Sequence, residues 1–163
     1  LKQPRSEFQK EIRKNGRSVF QVGDTLTDQV YANHSEKVIE KFQYIIKNDG
    51  NIPHHLQTKK FAQKLIPRKW GSDGPNITAT SLPDDYVHYS QPRILTVREW
   101  ARLQMFPDRY EFYGKRTTGG SGRAGNPREK KYERELPKYT QIGNAVPVGL
   151  ANKVGKYFIK SLN

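Results

Sequence analysis

With 163 residues, 34 % of them hydrophobic, the chain suits one modest domain or two small pieces, and it is lean for burying an independent core. Lys and Arg number 29 against 16 Asp and Glu, and the resulting charge of +13 favours a polyanion as partner, because each neutralised phosphate releases counterions; no long apolar run or apolar-faced basic helix points to a membrane. The lack of cysteine excludes a disulfide framework, a thiolate zinc site and a cysteine nucleophile within the chain, and the opening LKQPRSEFQK has no apolar core of the signal-peptide kind, so a cytoplasmic setting is expected.

Residues 1–30 are polar and weakly patterned, more an entry segment than a core element. The first strong helix signal begins at Ser35: it can cap, Glu36 sits in the positive first turn, and Val38, Ile39, Phe42, Ile45 and Ile46 recur on one face. Asn48-Asp49-Gly50 should end that helix, since all three tolerate left-handed geometry. From Asn51 to Arg93 the pattern loosens into short extended pieces. Residues 76–80 (NITAT) and 86–89 (YVHY) read as strands, with a turn at Leu82-Pro83-Asp84-Asp85 between them.

A second helix is expected from Thr96, where Thr96 and Glu99 form a capping box. Val97, Trp100, Ala101 and Met105 supply its apolar face, and Phe106-Pro107-Asp108 stops it. Between 114 and 138 there are eight Lys/Arg and almost no apolar residues, the composition of a mobile basic loop. Gly120–Gly125 matches the dinucleotide glycine fingerprint, but no apolar strand leads into it and Asn126-Pro127 follows, so it reads as loop. The last helix is expected from about Val146 to Leu162. Asn144 would be its cap, Pro147 fits its first turn, and Val146, Leu150, Val154 and Phe158 repeat at intervals of four.

Two segments carry more than helix signals. Arg93–Asp108 (RILTVREWARLQMFPD) resembles the ninth motif of the DNA cytosine-5 methyltransferases, and Tyr139–Pro147 (YTQIGNAVP) resembles the tenth and last. The basic Gly-Lys-Arg-Thr-Thr-Gly-Gly stretch between them is also of the family's type, and the helix near 33–42 and residues 59–89 more loosely resemble its target-recognition region. This resemblance implies an organisation: residues 1–95 as the target-recognition region, 96–110 as the motif IX helix, 111–138 as a basic flexible loop, and 139–163 as motif X with the C-terminal helix. The implied fold is α+β, a small mixed recognition domain of short strands and helices. Its C-terminal helix would dock on a Rossmann-like methyltransferase large domain.

The resemblance implies roles as well. Motif IX organises the recognition region and gets no catalytic role; Arg98, Glu99 and Arg102 within it also read as a capped, solvated helix face. Motif X would bring Asn144, Ala145 and Val146 to the S-adenosylmethionine pocket, where exposed amides and an Asn side chain suit the polar end of the cofactor. The family's chemistry is covalent: a Cys thiolate attacks carbon 6 of a flipped cytosine, making carbon 5 able to accept a methyl group. Here there is no Cys, no convincing Glu-Asn-Val segment, no glycine-rich cofactor loop and no Gln-x-Arg-x-Arg motif. No catalytic residue is therefore assigned, and this chain is expected to be inactive alone. The partner would be an N-terminal catalytic half, either a separate subunit or the remainder of a longer chain.

Duplex DNA is the other expected partner. Arg68, Lys69 and Trp70 precede a Gly-containing turn and combine phosphate-contacting charge with a stacking ring. Thr78, Thr80 and Ser81 lie where the family's recognition strand approaches DNA, with Tyr86 and His88 as weaker candidates. His54-His55 have no carboxylate partner at helical spacing, and no metal is expected. The final helix and the Thr96 helix should together present an apolar docking surface. A free-standing basic DNA-binding module is the alternative, though it has no reason to carry a tenth motif.

Overall fold

A computed structural model describes residues 1–15, 18–19, 21–57, 63–69, 77, 83–117 and 136–162. The chain forms two compact units: one holds Leu1–Gln29 together with Val97–Asn163, the other Val30–Thr96. The first 29 residues, grouped in the sequence with everything up to 95, thus share a unit with the segment that follows Val97.

In the unit Val30–Thr96, helix α2 (Glu36–Lys47) follows the sequence expectation at both ends. Ser35 takes the extended N-cap backbone, but its side chain makes no capping hydrogen bond. At the other end Asp49 is left-handed (φ 51°) and the Gly50 amide reaches back to the Ile45 carbonyl at 2.8 Å, closing the last turn as a Schellman motif. The apolar face of α2 buries Phe42 and Ile45 against Val87 and Ile94, with Val38, Ile46, Ile52 and Leu65 packed around them. Two short strands complete this core: β3 (Lys64–Leu65) pairs in parallel with β4 (Tyr86–Val87), and Val87 also bridges Ile94 in antiparallel fashion. The strand read over 86–89 is therefore shorter than expected, and that over 76–80 lies outside the described residues apart from Ile77.

The other unit begins with an element that the polar composition hid. Helix α1 spans Glu7–Ile12, with Ser6 as its N-cap accepting from the Gln9 amide. Ile12 is buried, and so is Leu26 further on, so the segment contributes to a core instead of merely entering one. Strands β1 (Lys14–Asn15) and β2 (Ser18–Val19) pair in antiparallel register. Helix α3 (Val97–Leu103) buries Val97, Trp100 and Ala101 and packs on α4 (Lys138–Asn144), whose Tyr139 and Ile142 are buried. Phe106, Tyr110 and Phe112 form an aromatic cluster beside them, with centroids 4.8–5.2 Å apart.

The expected final helix is present, beginning at Val148, and is preceded by a helix, α4, that the sequence did not announce. Asn144 is the last residue of α4, Ala145 has an extended backbone (φ −78°, ψ 143°), and α5 runs over Val148–Leu162. Asn144 therefore does not cap α5. The physical reason is Pro147, which has no amide hydrogen to continue α4 and biases the residue before it toward extended backbone. Helix α5 has no buried residue: Leu150, Val154, Phe158 and Ile159 are all exposed. No helix among the described residues is long and apolar enough to cross a membrane.

Candidate cofactor turn and nucleic-acid surface

Helix α3 is anchored by Arg98, which is wholly buried. Its guanidinium donates to the Thr27 carbonyl (3.3 Å) and hydroxyl (2.8 Å), and to the carbonyls of Pro107 (3.4 Å) and Tyr110 (2.7 Å). Asp28 lies 3.7 Å away and itself pairs with Lys138 at 2.7 Å. Burial pushes the Arg98 pKa down, while Asp108 and Asp28 act against that shift. A solvated helix face is thus the wrong description of Arg98. Arg102 fits it only in part: at the rim it binds the buried Asp108 through two hydrogen bonds of 2.7–2.8 Å.

Helix α3 ends in a Schellman motif. Met105 is left-handed (φ 61°) and donates to the Arg102 carbonyl, and the Phe106 amide reaches the Ala101 carbonyl at 2.9 Å. Met105 therefore lies past the helix and is partly exposed, not part of its buried face. Its thioether instead covers Gly149, where an added Cβ would come within 2.3 Å of the Met105 methyl carbon. The apolar residues of α3 are consumed inside this unit, so α3 offers no docking surface of the kind expected beside the final helix.

Asn144, Ala145 and Val146 are adjacent in a turn joining α4 to α5. Asn144 and Val146 are exposed and Ala145 is half-buried. The turn is held at both ends by one residue. Gln104, buried at the end of α3, donates from Nε2 to the carbonyls of Ile142 and Ala145, both at 3.3 Å, and its own carbonyl accepts from the Val148 amide at 3.1 Å. At the far end of α4, Lys138 pairs with Asp28, and Gln141 donates to the carbonyls of Tyr113 and Leu136. The result is an exposed carboxamide and an exposed apolar side chain on a fixed backbone. That donor set fits one wall of a site for a ligand with both polar and apolar parts.

On the other unit, Arg68 and Lys69 are exposed. The Arg68 guanidinium lies 5.7 Å from the centre of the Tyr89 ring, which stacks on His88 at 4.4 Å. Tyr86, by contrast, is buried and belongs to the packing. Trp70, Thr78, Thr80 and Ser81 lie outside the described residues, as do most of the 111–138 segment and the Gly120–Gly125 stretch. His54 and His55 lie in a short 3-10 turn (His54–Leu56), both exposed.

Sequence reading missed three residues that position these surfaces: Asp28, Gln104 and Tyr89. Asp28 and Gln104 act through partners 110 and about 40 positions away, a separation that local patterning does not register. Tyr89 carried a usable signal in its place beside His88 at the end of an expected strand.

The family model described as C-5 cytosine-specific DNA methylase matches residues 2–160. The type II methyltransferase M.DdeI of Desulfomicrobium norvegicum is 31 % identical over 173 residues, covering 95 % of this chain and 37 % of the relative. M1.HphI of Haemophilus parahaemolyticus is 33 % identical over 78 % of this chain and 30 % of its own length. The chain thus spans about a third of the length of these two relatives. A third relative is shorter: M.AquIB of Picosynechococcus is 32 % identical over 123 residues, which cover 76 % of this chain and 80 % of that protein.

Proposed function

The chain belongs to the C-5 cytosine-specific DNA methylase family, and on that premise we propose that it is the DNA-recognition and cofactor-completing half of a DNA cytosine-5 methyltransferase. Helix α5 carries this reading. It is 15 residues long, has no buried residue, and keeps Val154, Phe158 and Leu162 in water. An amphipathic helix of that kind leaves an apolar face for another body to cover. In this proposal the body is the N-terminal catalytic half, a Rossmann-like large domain that supplies the thiolate this Cys-free chain lacks. The 80 % coverage of M.AquIB fits a separate small subunit.

The Asn144–Val146 turn would form one wall of the S-adenosylmethionine site. The cofactor, when bound, supplies the methyl group. Asn144 offers both a donor and an acceptor to its polar end, and Val146 offers an apolar contact to its ring. The recognition unit would meet duplex DNA through Arg68 and Lys69, together with Trp70, Thr78, Thr80 and Ser81, with hydroxyls and cations on phosphates.

The test is methyl transfer from labelled S-adenosylmethionine to duplex DNA, with the chain alone and mixed with the polypeptide encoded immediately upstream. Activity confined to the mixture is the expected result. Activity from this chain alone would overturn the half-enzyme reading.

A further inference from the structure

We infer that Gln104 is the positioning residue for the cofactor turn, an inference that rests on the proposed role of Asn144–Val146. Three observations lead to it. A single buried side chain, through one nitrogen, spans the carbonyl of Ile142 in the last turn of α4 and the carbonyl of Ala145 just beyond it. The same residue's main-chain carbonyl takes the amide of Val148, the first residue of α5. Both flanks of the Ala145–Pro147 turn are therefore tied to one point, and that point is itself fixed: the Gln104 amide donates to the Trp100 carbonyl at 3.0 Å, in a helix held by buried Arg98.

The chemistry of the clamp is specific to a primary amide. Two carbonyl oxygens facing one group require two N–H donors on one nitrogen. A carboxylate of the same length would present oxygen to oxygen, and an apolar side chain would leave two carbonyls without this partner. Without the clamp the turn is free to rotate about extended Ala145, and Asn144 and Val146 lose their common orientation. Motif IX then has a task in cofactor binding as well as in organising recognition. Gln104, the residue after α3, sets the geometry of motif X without touching the ligand.

The experiment uses the complete enzyme and direct binding of labelled S-adenosylmethionine by equilibrium dialysis, beside binding of a cognate duplex. Gln104→Met keeps length and volume but removes both donors, and it should weaken cofactor binding about tenfold, the scale of one or two lost buried hydrogen bonds, with duplex binding unchanged. Val148→Pro removes only the main-chain leg at a position where proline suits a helix start, so it keeps the test informative should Gln104→Met not fold. Compared with Val148→Ala, which keeps the amide, it should weaken cofactor binding several-fold. Asn144→Ala runs in parallel. Cofactor binding that is intact in Gln104→Met and Val148→Pro but impaired in Asn144→Ala overturns the inference and leaves the cofactor reading standing. Equal loss of cofactor and duplex binding in Gln104→Met also overturns it, as the signature of a purely structural residue. Unimpaired binding in Asn144→Ala overturns the cofactor reading itself.

Discussion

Arg98 shows how far a single residue's role can lie from its sequence neighbourhood. Its guanidinium joins the Thr27 hydroxyl and three backbone carbonyls in a site closed to water. Arg98→Leu leaves those acceptors unmet and Asp28 with Lys138 alone, at an expected cost of about 3–5 kcal/mol. Arg98→Lys should lose most of the same amount, because an ammonium cannot reproduce the planar fork. Urea unfolding followed by the fluorescence of buried Trp100 measures both; a loss below about 1 kcal/mol would contradict the buried-anchor description. From sequence alone this arginine can be read as part of a solvated face, because its partners Thr27 and Asp28 are some seventy positions away. Asp84 gives a second prediction at this scale. Burial first, and Asp85 second, push its pKa up, while His34 acts against them. A carboxyl whose folded pKa exceeds the unfolded one adds stability below the unfolded value and costs stability as pH rises through the folded value. Asp84→Asn removes that cost. Its urea midpoint should exceed the parent's at neutral pH and converge with it below about pH 3, under the ordinary Asp value.

At the scale of elements, helix ends show where local sequence suffices and where it does not. Helix α2 was legible because its apolar period and its Asn48-Asp49-Gly50 terminator act within a few residues. Helix α1 had its signal too, in Ser6 with Gln9 three places on, but a six-residue helix offers too little periodicity to stand out. The start of α5 was legible to within two residues from its apolar repeat and Pro147, whereas α4, seven residues long, offers too little apolar period to stand out. The turn that brings Asn144, Ala145 and Val146 together was thus found through motif resemblance, and its clamp only through the fold. The end of α3 adds a case in which the terminator is an unfavourable residue. Met105 occupies a left-handed position where glycine is the usual choice, and its side chain compensates by covering Gly149. Met105→Ala loses that cover and keeps the backbone strain; Met105→Gly loses the cover but relieves the strain. The glycine variant should therefore be the more stable of the two by about 1 kcal/mol, opposite to their order inside a helix. Thermal unfolding of the pair decides it. An alanine variant equal to or better than glycine would mean that the left-handed backbone is not retained.

For the whole molecule, the informative contrast is between a chain that has buried its small cores and a helix that has buried nothing. Phe42, Ile45, Trp100 and Ile142 are nearly or fully enclosed, whereas Val154, Phe158 and Leu162 stand in water on α5. Replacing residues on that face should leave folding almost untouched, because none of them is buried. Val154→Lys and Phe158→Lys should keep the unfolding midpoint of the isolated chain within about 0.5 kcal/mol of the parent, as for ordinary surface sites. They should also make it less prone to self-association, since each breaks an exposed apolar patch. Against the catalytic half proposed as its partner, the same changes should be severe. Removing one buried side chain of this size from an interface costs roughly 1.5–3 kcal/mol, or about 10–100-fold in association. Pull-down or titration calorimetry with the upstream polypeptide gives that number, and a duplex-binding measurement on the same variants serves as control. Weakened association with unchanged duplex binding makes α5 the docking element and separates the two tasks of the chain. Unchanged association would place the interface elsewhere and leave the exposed face of α5 without the partner proposed for it.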